Sequence, residues 1–141
     1  MKDQEIIEQI AKTGGFTGEV YTLFKGRVAL YVILKAMGVS PGDEVIMPAY
    51  TCVVVPNAVL YFGAQPVYVD VNKETFNIDP TKSEAAITKN TRVVMAQNTF
   101  DLSSEIAGIR GIADKHGIAV VEDCAHGFGC NPKRGTACMR V

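Results

Sequence analysis

Ile118-Ala-Val-Val-Glu-Asp-Cys-Ala-His126 opens with four apolar residues in a row and then reaches a pair of acids. An apolar run without polar alternation describes a strand covered on both faces. Upstream, Ser104 to His116 reads as a helix that Gly117 ends. The same strand and helix alternation recurs toward the N-terminus. Strands are predicted at Arg92–Ala96, Pro66–Asp70 and Glu44–Met47, the last entered through the turn Pro41-Gly-Asp43 and stopped by Pro48. Helices are predicted at about Ser83–Ile87, Val53–Phe62 and Gly26–Met37, the last ended by Gly38. The apolar positions of that helix, Val28, Leu30, Tyr31, Val32, Ile33 and Leu34, wrap nearly all round, which implies burial among other elements. Further out lie a loop broken by Gly14, Gly15 and Gly18 and a helix-like segment over about 3–12. Four apolar strands alternating with helices predict an α/β fold, a mainly parallel sheet covered by helices with right-handed connections. Ligands of such sheets collect beyond the carboxyl ends of the strands, here Pro48–Cys52, Gln97–Asp101 and Asp123–Gly127.

A chain of 141 residues with 48% hydrophobic content supports one core, so 1–141 is a single domain or part of one. Its 14 basic and 15 acidic side chains give no basic field for nucleic acid or an anionic membrane. No stretch reaches the ~18 apolar residues of a membrane span, and Met-Lys-Asp-Gln-Glu5 does not resemble a secretion signal. A cytoplasmic location is the expectation. Cys52, Cys124, Cys130 and Cys138 lack regular spacing and read as reduced thiols. Cys124-Ala-His126 with Cys130 fits no common zinc pattern, so no metal site is expected.

Asp123 stands where a buried strand emerges. Such an aspartate either caps the turn that follows or pairs with a cation, and a carboxylate in a low-dielectric cleft keeps a neighbouring ring nitrogen protonated. His126 is near enough in the chain to share that cleft; a lone His is more often a hydrogen-bonded structural residue, and its place beside Asp123 tips the reading toward a polar contact with the same ligand. His116 suits the negative end of a helix dipole. Lys25-Gly26-Arg27 puts two cations where the helix dipole is already positive. Either both are solvated on a frayed turn, or an anion such as phosphate binds the free N–H groups. Neither a dinucleotide fingerprint nor a Walker loop is present. Tyr50, Thr51 or Cys52 can face the cleft, and no basic partner marks Cys52 as a nucleophile.

These segments together resemble the DegT/DnrJ/StrS family of pyridoxal-phosphate-dependent nucleotide-sugar aminotransferases. The resemblance covers about residues 20–130. It is carried by Gly26-Arg-Val-Ala-Leu30, Pro41 to Thr51, Asn57-Ala-Val-Leu60, Gly63-Ala-Gln-Pro-Val67, Thr75-Phe-Asn-Ile-Asp-Pro80, Ile109 to Gly117 and Glu122-Asp-Cys-Ala-His126. It implies part of the large domain of the aspartate-aminotransferase type, PLP fold type I, with the small C-terminal domain absent. It places Gly26 and Arg27 at the cofactor phosphate, Asp123 at the pyridinium nitrogen and His126 at the phenolic oxygen. Cys52 falls where many members stack an aromatic ring on the cofactor, and Asn98 and Asp101 fall where members often have His and Gly.

The resemblance also implies a Schiff-base lysine after a glycine-rich turn. Gly135-Thr136 can begin that turn, but Ala-Cys-Met-Arg-Val141 departs from the pattern, and no lysine present holds the expected place. The implied activity is amino transfer from an amino acid, glutamate, to a keto nucleotide sugar in polysaccharide or lipopolysaccharide biosynthesis. A homodimer is the implied assembly, and no catalysis is expected from the isolated chain. The alternatives are a pseudoenzyme that binds pyridoxal phosphate without turnover and an unrelated flavodoxin-like binding domain.

Overall fold

The computed structural model describes residues 20–127 together with Glu5 and Gln9. Glu5 and Gln9 are helical; the rest of the segment predicted over about 3–12, the loop of Gly14, Gly15 and Gly18, and Cys130, Cys138 and Gly135-Thr136 lie outside the described residues. Over residues 20–127, four helices and four strands alternate: α1 (Gly26–Ala36), β1 (Glu44–Pro48), α2 (Val54–Leu60), β2 (Gln65–Val69), α3 (Pro80–Ala85), β3 (Thr91–Gln97), α4 (Ile106–His116) and β4 (Ala119–Asp123). The strands form one sheet in the order β2-β1-β3-β4, and all three pairings are parallel.

Side chains alternate between the two faces, so β1, β3 and β4 each feed two cores, while β2 adds Val67 and Val69 to one of them. Val45, Met47, Val93, Met95 and Val121 pack with Leu34 of α1 and with Val55 and Val59 of α2. On the opposite face, Ile46, Val94 and Ala96 pack with Ile78 and with Ile109 of α4. The chain leaves β1 toward β2 and crosses back to β3, so the strand order reverses between β1 and β3, where an open sheet forms a crevice.

Several boundaries and burials differ from the sequence reading. Pro48 is the last residue of β1 rather than its stop, because the ladder continues past it through Ala49 N–H to the Val69 carbonyl at 2.8 Å. α3 begins at Pro80, not near Ser83: Asp79 caps it, accepting from Thr81 and Lys82 N–H, and proline suits a first turn whose N–H groups have no helical partner. α4 begins at Ile106, not Ser104, because Ser104 is engaged elsewhere, donating its N–H to Asn98 Oδ1 and its hydroxyl to the Gln97 carbonyl. α1 ends at Ala36, and Gly38 with φ +76° turns the chain away. Gly117, at φ +66°, closes α4 in the left-handed conformation that glycine adopts without a Cβ penalty. β2 is an edge strand, so Tyr68 is 53% exposed despite its apolar neighbours.

The all-round burial expected of α1 is not found. Leu34 is its buried residue, while Val28 and Val32 are 38% and 42% exposed, because the described elements cover only one side of the helix.

The Thr81 hydroxyl and the N–H groups of Lys82 and Thr81 hold the Asp79 carboxyl below its ordinary range. Burial pushes Asp43 up, but bonds from Arg92 and from the Ser40 hydroxyl and N–H outweigh it and leave Asp43 lowered too. A depressed folded pKa means stability that is present above the unfolded pKa of ~3.9 and is lost as pH falls through the folded value. Asp79→Ala is therefore expected to cost about 1 kcal/mol in urea unfolding near neutral pH, and markedly less once pH falls well below ~3.9. An equal cost at both pH values would show that the cap works without its charge.

Candidate functional site

α1 and α2 each run from the carboxyl edge of the sheet to the amino edge. The segments that follow them lie together, Gly42 N–H donating to the Gly63 carbonyl at 3.2 Å, and Tyr31 of α1 stacks on Phe62, just past α2, at 4.6 Å. Their first turns therefore share the carboxyl edge, and Arg27 and Val54 line one open cleft of about 540 Å³ with Tyr31, Asn57 and Tyr61. Gly26 thus sits at the same edge as Cys52, Asp123 and His126.

The start of α1 has unmet donors. Lys25 occupies the cap position with extended backbone and offers no side-chain cap, and the first turn carries no acid. Val28 and Ala29 N–H both reach the Lys25 carbonyl. The N–H groups of Gly26 and Arg27 have no acceptor among the described residues. A Cβ added at Gly26 would meet nothing within 4 Å, so internal packing does not explain the glycine. Lys25 lies over the Phe24 ring at 5.2 Å, and Arg27 has no acidic partner among the described residues.

Asp123 ends β4 in register with Gln97. By strand alternation it shares the face of Val121, the face that α1 covers. Its Oδ1 accepts the Ala125 N–H at 3.0 Å, a local cap of the turn, while Oδ2 has no donor among the described residues. The capping reading and the cation-partner reading thus use different oxygens. At the neighbouring strand end, Thr51 donates its hydroxyl to Gln97 Oε1 at 2.6 Å, which ties the loop after β1 to β3 across the crevice. Cys52 is exposed and its carbonyl accepts the Val55 N–H at 2.9 Å.

His126 is joined to the loop after β3 rather than standing alone. Its carbonyl accepts the Asp101 N–H at 3.1 Å, and its ring faces Phe100 at 6.3 Å and 17°. Phe100 also meets Tyr50 at 6.1 Å and Phe76 edge-on at 5.9 Å. The sequence reading did not single out Phe76 or Phe100; the one available signal was aromatic residues inside or beside segments at strand ends.

Under this rim lies a buried polar layer. Asn98, fully buried, donates to Glu122 Oε1 at 2.7 Å and to Cys124 Sγ at 3.3 Å, and its Oδ1 accepts Ser104 N–H at 2.8 Å. Asn77, 2% exposed, accepts Thr99 N–H and donates to the Leu102 carbonyl. At the amino edge, away from this site, His116 Nε2 lies 3.4 Å from Glu84. No helix among the described residues is long and apolar enough to cross a membrane.

Known proteins share this fold. The sequence matches the DegT/DnrJ/EryC1/StrS aminotransferase family over residues 4–138. It is 38% identical over 95% of its length to the UDP-2-acetamido-2-deoxy-3-oxo-D-glucuronate aminotransferase of Pseudomonas aeruginosa, covering 38% of that protein. It is 39% identical over 89% of its length to the 3-oxo-glucose-6-phosphate:glutamate aminotransferase of Bacillus subtilis, covering 28% of it. The crystal structure of NtdA from Bacillus subtilis with bound cofactor PMP superposes with a TM-score of 0.78 at 39% identity, over 87% of this chain and 29% of that one. The chain thus spans about a third of the length of the relatives it matches. The parallel sheet flanked by helices is that of the fold type I aminotransferases that use pyridoxal phosphate. With nearly its whole length matched, the chain belongs to the DegT/DnrJ/EryC1/StrS aminotransferase family.

Proposed function

We propose that this chain is the cofactor-binding portion of a pyridoxal-phosphate-dependent aminotransferase that moves an amino group from glutamate to a keto sugar carried on a nucleotide, in polysaccharide or lipopolysaccharide biosynthesis. The observation that carries this reading is the placement of Asp123 on the sheet face that α1 covers, at the edge where α1 begins with unmet N–H donors. An acid with a spare oxygen and a cationic helix start suit the two ends of a phosphorylated pyridine. A 3-oxo-glucuronate nucleotide in one relative's name and a glutamate donor in another's support the substrate pair.

The roles follow from charge. Gly26 and Arg27 N–H groups bind the phosphate, which also neutralises the clash between Arg27 and the helix dipole. Asp123 Oδ2 would accept a hydrogen bond from the protonated ring nitrogen and so hold the proton on that nitrogen. His126 contacts the phenolic oxygen, and Cys52 lies at the ring face, covering less of it than an aromatic residue covers. Pyridoxal phosphate, when bound, supplies a ring that withdraws electrons from the reacting carbon. Proton movement at that carbon needs a lysine that none of this chain's lysines matches, so the chain alone binds without turnover. The exposed side of α1 and α2, with Val28, Val32, Leu60 and Tyr61, is the proposed contact with a second copy.

Equilibrium dialysis of the 141-residue chain against pyridoxal phosphate tests the reading, with light scattering on the same sample. Saturable one-to-one binding by a dimer is expected. Absence of binding would overturn the cofactor assignment, and a monomer at all concentrations would overturn the proposed contact.

A further inference from the structure

We infer that Phe100 is a positioning residue for His126: its ring, locked by the backbone, sets the plane in which the imidazole meets its ligand. The inference rests on the assignment of His126 to the cofactor's phenolic oxygen.

Phe100 and Asp101 are consecutive non-glycine residues in the left-handed region, at φ 53° and 62°. That conformation is costly for a bulky side chain and persists only where surrounding contacts over-determine it. Those contacts are present on both sides of Phe100. Leu102 N–H closes the turn on the Thr99 carbonyl at 3.0 Å, and Asp101 N–H binds the His126 carbonyl at 3.1 Å. From beneath, the single side chain of Asn77 grips both ends of the turn, accepting Thr99 N–H at 2.8 Å and donating to the Leu102 carbonyl at 2.9 Å. The backbone that carries Phe100 is thus fixed to the backbone that carries His126.

The ring itself is 56% exposed and is flanked by two other aromatic rings. Tyr50 and Phe76 stand at 6.1 Å and 5.9 Å from Phe100, and each is set by a different segment of chain. The free side of Phe100 lies nearly parallel to the His126 imidazole, at 17° and 6.3 Å. Among the described residues neither nitrogen of that imidazole has a hydrogen-bond partner, and the Phe100 ring is its aromatic neighbour. A stack restrains orientation while leaving the in-plane nitrogens available. A residue that must present N–H or lone pair to a ligand in one direction needs that restraint, and a hydrogen-bonding support would use up one nitrogen.

Phe100→Leu and Phe100→Tyr in the 141-residue chain, each also made with His126→Ala, test the inference. By NMR, the NOEs that place the His126 ring protons against their surroundings are expected to weaken in Phe100→Leu, beyond the shift change that loss of the Phe100 ring current alone produces, and to persist in Phe100→Tyr, with His116 as the internal reference. Pyridoxal phosphate affinity is expected to fall about three- to tenfold in Phe100→Leu, to recover in Phe100→Tyr, and to show no further loss from Phe100→Leu once His126 is alanine. An equal loss in the His126→Ala background, or His126 NOEs that ignore Phe100→Leu, would overturn it. If the parent chain binds no pyridoxal phosphate, the functional reading fails, and the NMR comparison still decides whether Phe100 orients His126.

Discussion

Asn98→Ala is expected to lower the unfolding free energy by about 3–5 kcal/mol in urea or thermal unfolding, the largest loss from any single side chain at this site. Asn98 is fully buried and serves three partners: Glu122 Oε1, Cys124 Sγ and the Ser104 N–H. Glu122 is itself only 7% exposed, so truncating Asn98 leaves a buried carboxylate and a buried N–H without their partners. Domains of this size are stable by roughly 5–15 kcal/mol, so the variant should sit close to its folding limit. Thr99→Val provides the contrast at the next position. Thr99 is 1% exposed, and its hydroxyl has no partner among the described residues. Replacing it removes an unmet polar group rather than creating one, and the variant should be neutral or gain up to ~1 kcal/mol. If Asn98→Ala cost no more than a surface substitution, the polar layer beneath the site would not be what fixes the loop after β3.

Asp123→Asn is expected to weaken pyridoxal phosphate binding about 10- to 100-fold while leaving stability nearly unchanged, because a charge-assisted hydrogen bond to the ring nitrogen becomes a neutral one. The asparagine keeps an Oδ1 for the Ala125 N–H, so the turn after β4 survives. Asp123→Ala loses both functions and should add a stability loss of about 1 kcal/mol to the same loss of affinity. Comparing the two separates the capping oxygen from the ligand oxygen. A cofactor affinity that tracks the turn's stability, low in Asp123→Ala and normal in Asp123→Asn, would reduce Asp123 to a structural cap.

The sheet was legible because its strands are short apolar runs, and the helices between them could be placed to within a few residues. Where the boundaries moved, a polar side chain had an unforeseen partner: Asp79 drew α3 forward to Pro80, and the bonds of Ser104 to Asn98 and Gln97 held α4 back to Ile106. Such bonds join residues whose pairing depends on the fold already being formed. The exposed side of α1 was missed for a related reason. An all-round apolar helix predicts that something covers it, without saying that the cover comes from within the same stretch of chain.

The candidate site was legible in part. Strand ends and an ill-charged helix start mark Asp123, Gly26 and Arg27 as candidates, because a local charge conflict is visible in sequence. The stacking of Phe100 on His126 was not, since it depends on a left-handed backbone at a non-glycine residue, for which no residue-type signal exists. The Asn77 grip that sustains this conformation comes from another part of the chain.

The most direct test of the account is a crystal structure of the chain soaked with pyridoxal phosphate. It should show the ring nitrogen within hydrogen-bonding distance of Asp123 Oδ2 and the phosphate on the N–H groups of Gly26 and Arg27. A cofactor bound with its phosphate away from the start of α1, or with its ring nitrogen turned from Asp123, would contradict it.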